Sequence, residues 1–290
     1  MARTIILLSA KRCGSTAAFH MFQRHPDVGI CHVDRAIANW EPGFWTLAWD
    51  AIRGDPGPFV ERLALSLPFL KLPPALTEDA VFDLWDAVLA HQGPIVFDKS
   101  PQYLGNRRAL ELISKYKARG NDVRLFAFIR DPRDAIASQF ELWGHIMPGD
   151  SPKRREAAWL AKYEHLEELR RSDDIPLFRY EDFASEPRRH APLIYRFCGL
   201  RDFPPSYAHV RPTSIHRYST SRNPQIRAWR IGRAMRAHLL KHGYRIPQIG
   251  RLQTALRVFS GGPTLGLRRL AGLIKRLAAG VAIGFSMAAF

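Results

Sequence analysis

The chain has little cysteine. Cys13, Cys31 and Cys198 are the three among 290 residues, an odd number without metal-ligand spacing. That argues against a disulfide framework or a zinc site and fits a reducing compartment, with the thiols serving as small apolar fillers. The N-terminus also lacks a long hydrophobic run. Ile5-Ile6-Leu7-Leu8 lasts four residues before Ser9 and Lys11, far short of a signal-peptide core or a membrane span, so no export signal is read. The eleven histidines contain no HExxH and no paired spacing, so no metal is expected. Acids nearly vanish from the last third. From Arg201 to Phe290 sixteen Lys and Arg face the single acid Asp202, whereas the first two hundred residues are almost balanced and the whole chain is +16. Such asymmetry suits an anionic partner such as a membrane surface, an acidic glycan or nucleic acid, and equally a merely solvated basic face.

What is present is an ordinary globular composition, 46% apolar and 24% charged, in a length that suits one sizeable core. Apolar runs at residues 5–8, 27–31, 94–97, 123–129 and 175–180 read as strands. Helical apolar spacing occupies 17–22, 59–70, 78–91 behind Thr77 as N-cap, 107–117, 132–142, 151–171 and 187–198, and then 225–242 before Gly243. Residues 32–49, aromatic-rich without clean periodicity, read as a loop over a pocket. Strands alternating with helices predict an α/β fold, a parallel sheet flanked by helices, with ligands beyond the carboxyl ends of the strands. The polar clusters Lys11-Arg12, Lys99-Ser100 and Arg130-Asp131 all fall there.

The stretch TIILLSAKRCGSTAAFHMFQRHP from Thr4 to Pro26 is a strand, a basic turn and a helix start. Unpaired N–H groups, the positive end of a helix dipole and two cationic side chains make an anion site. It is not the kinase P-loop, because GxxxxGK[ST] is absent and the basic pair precedes Gly14. A second cluster, FAFIRDPRDAIASQF, delivers Arg130 from a strand and Ser138 from the following helix, a guanidinium and a hydroxyl able to grip another phosphate.

On these residues the chain resembles the sulfotransferases that use 3′-phosphoadenosine 5′-phosphosulfate (PAPS). Arg12, Cys13, Gly14, Ser15 and Thr16 match the family's 5′-phosphosulfate loop, with Lys11 beside it, and Arg130 with Ser138 match its 3′-phosphate motif. HPDV at 25–28, DKSPQYL at 98–104, RYEDF at 179–183, Trp229-Arg230 and HGY at 242–244 are similar to the carbohydrate and tyrosylprotein branch and its bacterial relatives. The resemblance covers about residues 4–246 and implies a P-loop-NTPase-like sulfotransferase fold, with a domain of residues 1–250 and a tail of 251–290.

It further implies PAPS as sulfuryl donor without a metal, and a hydroxyl-bearing acceptor that is a glycan, a lipid or a small molecule. Arg12 takes the catalytic position, and Lys99 resembles the lysine that approaches the sulfuryl group or the acceptor. Asp98 orients Lys99 or caps a turn, while Arg179, Glu181 and Asp182 read as structural links. For the general base the family places a Glu beyond the HPDV-like segment; here Asp34 falls closest, His32 is two residues away and Glu41 is the nearest Glu. The basic, turn-rich segment 213–227 resembles the loop that closes over the nucleotide, with Ser219, Ser221 and Arg222 as candidate phosphate contacts.

The tail from Leu265 projects as a basic amphipathic helix. Arg268, Arg269, Lys275 and Arg276 lie on one side, and Leu270, Leu273, Ile274, Leu277 and Val281 on the other. It suits the interface of an anionic membrane, and equally packing on the domain or on a second subunit. A cytoplasmic protein able to sit peripherally at a membrane is the expectation, and no specific nucleic acid partner is expected. The alternatives are a P-loop-like nucleotide kinase or hydrolase and a non-enzymatic protein that binds anionic surfaces.

Overall fold

The computed structural model describes residues 2–31, 43–143 and 150–246. Its elements run β1 (Arg3–Ser9), α1 (Ser15–Gln23), β2 (Gly29–Ile30), α2 (Phe44–Arg53), α3 (Gly57–Ser66), α4 (Glu78–Gln92), β3 (Ile95–Lys99) and α5 (Arg107–Ala118). The second half continues through β4 (Asp122–Ile129), α6 (Pro132–Trp143), α7 (Pro152–Ser172), β5 (Leu177–Arg179), α8 (Tyr180–Ser185) and α9 (Pro187–Phe197). It closes with α10 (Arg217–Thr220), α11 (Pro224–Ala228) and α12 (Arg233–Lys241). The strands form one sheet in the order β2-β3-β1-β4-β5, every pairing parallel. As expected from the sequence, this is a parallel sheet flanked by helices.

The continuous apolar run of β1 follows from its central place. Successive side chains point to opposite faces, so Ile5 and Leu7 pack with Phe22, Phe97, Phe126 and Phe183 on one side. Ile6 and Leu8 pack with Trp85, Ile113, Tyr163 and Leu166 on the other. Helix starts follow local chemistry. Thr77 Oγ1 accepts the Ala80 N–H at 3.1 Å, Asn106 Oδ1 accepts those of Arg108 and Ala109, and Ser151 Oγ accepts that of Arg154 with Pro152 opening the helix.

The structure corrects two sequence expectations. The region expected to be a loop through residue 49 contains α2, whose buried Phe44, Trp45, Ala48 and Ala51 hold one helical face. The partly buried Leu47 and Trp49 beside that face blurred the spacing. The expected helix over 225–242 is two helices, α11 and α12. Buried Glu156 of α7 accepts the Trp229 indole N–H at 2.9 Å and the Gly232 backbone N–H at 2.8 Å, which takes that amide out of any helical ladder. Smaller differences lie at element ends: α3 stops at Ser66, β5 is three residues long, and Tyr180 already begins α8. No described helix is long and apolar enough to cross a membrane. The tail projection falls on residues outside the described ones.

Candidate functional site

Three strand ends place their following residues together. β1 leads into Lys11 and Arg12, β3 ends at Lys99, and β4 hands the chain to Arg130; Leu7 pairs with both Lys99 and Phe126 in register. Beyond them opens a cavity of about 670 Å³ lined by residues 11, 12, 14–17 and 20, by Arg130 and Tyr180, and by His209, Val210 and Arg211 among others. None of the described residues lining it is acidic.

Local backbone chemistry builds the loop. Arg12 adopts φ 68° and Gly14 φ 88°, a left-handed pair that turns the chain from strand to helix. Gly14 is required twice, since a Cβ there would lie 2.0 Å from the Tyr180 ring. It is the N-cap of α1, and no side chain caps the helix. The first N–H groups of Ser15, Thr16 and Ala17 thus have no intrahelical acceptor and present the positive dipole end to the cavity.

The two basic motifs meet at Arg12. Its carbonyl accepts Arg130 Nη1 at 2.8 Å, and its Nε donates to Ser138 Oγ at 3.0 Å. Arg130 is 2% exposed, also donates from Nη2 to the Ser214 carbonyl, lies 5.2 Å from the Tyr180 ring centroid, and keeps an enclosed Nε without a hydrogen-bond partner. Burial, then the neighbouring Arg130 and Arg217 charges, lower the Arg12 pKa from its ordinary value. Guanidinium groups this close together, with no carboxylate among the described residues of the wall, favour an anion between them.

The other expected residues divide. Lys11, Arg12, Gly14, Ser15, Thr16 and Arg130 line the cavity. Cys13 turns away: its buried sulfur sits 3.4 Å from the Tyr163 hydroxyl, and burial pushes the thiol up to about 12, so only its backbone faces the loop. Ser138 is buried and reaches the site through Arg12. Lys99 is buried at the neighbouring strand end, its Nζ 5.5 Å from the Phe19 ring centroid, and it does not line the cavity. Asp98 accepts the Tyr103 hydroxyl at 2.8 Å. Ser219, Ser221 and Arg222 border a separate cavity of about 220 Å³. Ser219 donates to the His216 carbonyl and Ser221 accepts the Asn223 N–H. Asp34, His32 and Glu41 lie outside the described residues.

Several nearby residues carry structure. His25 of the HPDV segment accepts the Asp27 N–H at Nδ1 and bonds the Arg201 carbonyl through Nε2, which ties the turn after α1 to the chain at Arg201. Glu181 of RYEDF accepts the Asp131 N–H at 2.8 Å and the Tyr244 hydroxyl at 3.1 Å. Asp134 of α6 accepts the N–H groups of His216 and Tyr218 at 2.7 and 2.8 Å, anchoring the segment that supplies the far wall.

Sequence reasoning reached only one end of that wall, Thr213 and Ser214 of the segment expected to close over the nucleotide. Tyr180 reads as a strand-end aromatic, and His20, His209 and Arg211 carry no motif. The one available signal was His20, one helical turn beyond Thr16. Lys162 of α7 was also missed; burial first, then the Lys11 charge, lower its pKa.

Comparison with known proteins adds the following. A model of a sulfotransferase family matches residues 4–205. Among solved structures, the sulfotransferase domain from the curacin biosynthetic pathway superposes with a TM-score of 0.57 at 14% identity, covering 85% of this chain and 99% of that one. The sulfotransferase domain from the Synechococcus PCC 7002 olefin synthase does so with a TM-score of 0.50 at 19% identity, covering 89% and 94%. At such identities the structural likeness speaks for the fold. No curated protein matches the chain in sequence.

Proposed function

The chain belongs to the sulfotransferase family, and from that footing we propose that it moves a sulfuryl group from PAPS to a hydroxyl of a glycan, lipid or small-molecule acceptor. One observation carries the reading. The basic loop after β1 and the buried arginine after β4 are joined through Arg12 in a single crevice whose described lining holds no acid. A donor with phosphate groups at both ends of its ribose needs two such anion positions.

The residues fit that donor on physical grounds. The enclosed Arg130 Nε without a partner is the orphaned polar atom that a phosphate oxygen would satisfy. The Gly14 turn lets backbone N–H groups approach a second anion closely. When bound, PAPS supplies the sulfuryl group and a bisphosphate leaving group.

Arg12 then neutralises charge that grows on the bridging oxygen, together with the loop N–H groups, while Ser138 holds the guanidinium in place. Lys99 adds positive potential from the adjacent strand end. The proton leaving the acceptor goes to Asp34 or His32, and in-line transfer of this kind needs no metal. Arg130 and the loop act by positioning the donor.

Isothermal titration with 3′,5′-adenosine bisphosphate tests the donor assignment; folded protein that does not bind it overturns the proposal. Arg12→Ala should retain the fold and lose about 10²- to 10³-fold in sulfuryl transfer. Near-normal turnover would remove Arg12 from its role.

A further inference from the structure

Beyond the crevice wall, most of the basic C-terminal part of the domain has no role in the function proposed above. From Arg211 to Ile246 the sequence holds nine Lys and Arg and no acid. Arg217 pairs with Glu141 and Lys241 with Glu167. Arg222, Arg230, Arg233 and Arg236 are exposed and pair with no described carboxylate; Arg230 and Arg236 reach only the backbone carbonyls of Arg227 and Ile231.

The outward face of α12 combines charge with an apolar side chain. Met235 and Leu239 are buried inward. Arg233, Arg236 and Leu240 follow at i, i+3 and i+7 on the neighbouring solvent-facing side, and Leu240 is 65% exposed, the most exposed of the large apolar side chains described. Aromatic platforms on which nucleic acid bases stack are missing among the described residues of this flank, because Trp229 and Tyr244 are buried and Tyr218 packs edge-on against Trp229. A polysaccharide would use the arginines and gain nothing from Leu240.

We infer that the α11–α12 connection and the outer face of α12, with Arg230, Arg233, Arg236 and Leu240, form a docking surface for an anionic lipid membrane. The chain beyond this face strengthens the choice of occupant. Forty-four more residues follow Ile246, with six Lys and Arg, no acid, and an amphipathic apolar pattern that a lipid interface rewards and a soluble polyanion does not. Each basic residue held near an anionic leaflet contributes about fivefold in binding.

Co-sedimentation of the full chain with vesicles tests this. The expected result is binding to phosphatidylserine-containing vesicles at physiological salt, with little binding to pure phosphatidylcholine. Arg230→Glu/Arg233→Glu/Arg236→Glu should weaken it at least about 100-fold, with the melting temperature and 3′,5′-adenosine bisphosphate binding unchanged. If the triple Glu variant misfolds, the triple Gln variant carries the test, with a loss of about 100-fold. Vesicle binding that ignores lipid charge, or a folded variant that binds vesicles as tightly as the parent, overturns the inference. So does polygalacturonate or single-stranded RNA bound in preference to the anionic vesicles.

Discussion

Arg12 and Arg130 were legible in the sequence because each follows a β-rich apolar run and opens a turn. Strand-end chemistry of that kind is local and can be read without knowing the fold. Tyr180 was not legible, since its role depends on three partners from distant parts of the chain: the bare Gly14 Cα, the Arg130 guanidinium and the Ser214 hydroxyl at 2.8 Å. Gly14→Ala tests this packing. The methyl group would meet the Tyr180 ring and sit on a left-handed backbone, which together should cost about 3 kcal/mol of stability and displace the ring from Arg130. Thermal melting and bisphosphate titration read both effects, and a variant indistinguishable from the parent in both would show that the ring moves aside freely.

At the scale of elements, helices with an N-cap side chain and a clear apolar face were found within a few residues of their true ends. The failures were helices governed by tertiary contacts. Gly232 is the one local sign of a break, and the group that fixes it there is Glu156, more than seventy residues earlier. Its carboxylate is buried and holds two N–H groups, with Lys153 Nζ 3.3 Å away. Glu156→Ala should leave the indole and the Gly232 amide unsatisfied and lower stability by about 3 kcal/mol. Glu156→Gln keeps one acceptor and should lose less. Chemical denaturation midpoints order the three proteins, and an alanine variant as stable as the glutamine variant would mean that water replaces the carboxylate.

For the molecule as a whole, the α/β class and the ligand edge of the sheet followed from alternating strands and helices. The far wall of the crevice did not, because residues 209–214 have no regular pattern of their own. Stability across pH is likewise a property of the assembled fold. His238 of α12 accepts the Trp159 indole N–H at 3.3 Å. Burial first, then the His242 and Lys241 charges, push its pKa from 6.5 down to about 4. Between those values the unfolded chain binds a proton that the folded chain refuses. This contribution is therefore complete above about pH 6.5 and falls by about 3 kcal/mol as the pH drops toward 4. The raised carboxyl groups of Asp134 and Glu181, both shifted mainly by burial, oppose that slope. His238→Gln, which retains an acceptor for Trp159, should flatten the decline in urea midpoints between pH 6.5 and 4.5; an unchanged slope would assign it to other groups.

Asp134 holds the backbone of His216 and Tyr218, and Arg130 holds that of Ser214, so the crevice is closed by chain that lies beyond residue 205, where the family match ends. That has a meaning in the order of synthesis. A ribosome delivers the basic loop first, Arg130 more than a hundred residues later and the closing wall another eighty after that. The nascent protein can complete its central sheet while the crevice is still open on one side. The closed crevice therefore arrives only after the sheet, together with the flank of arginines that follows the wall.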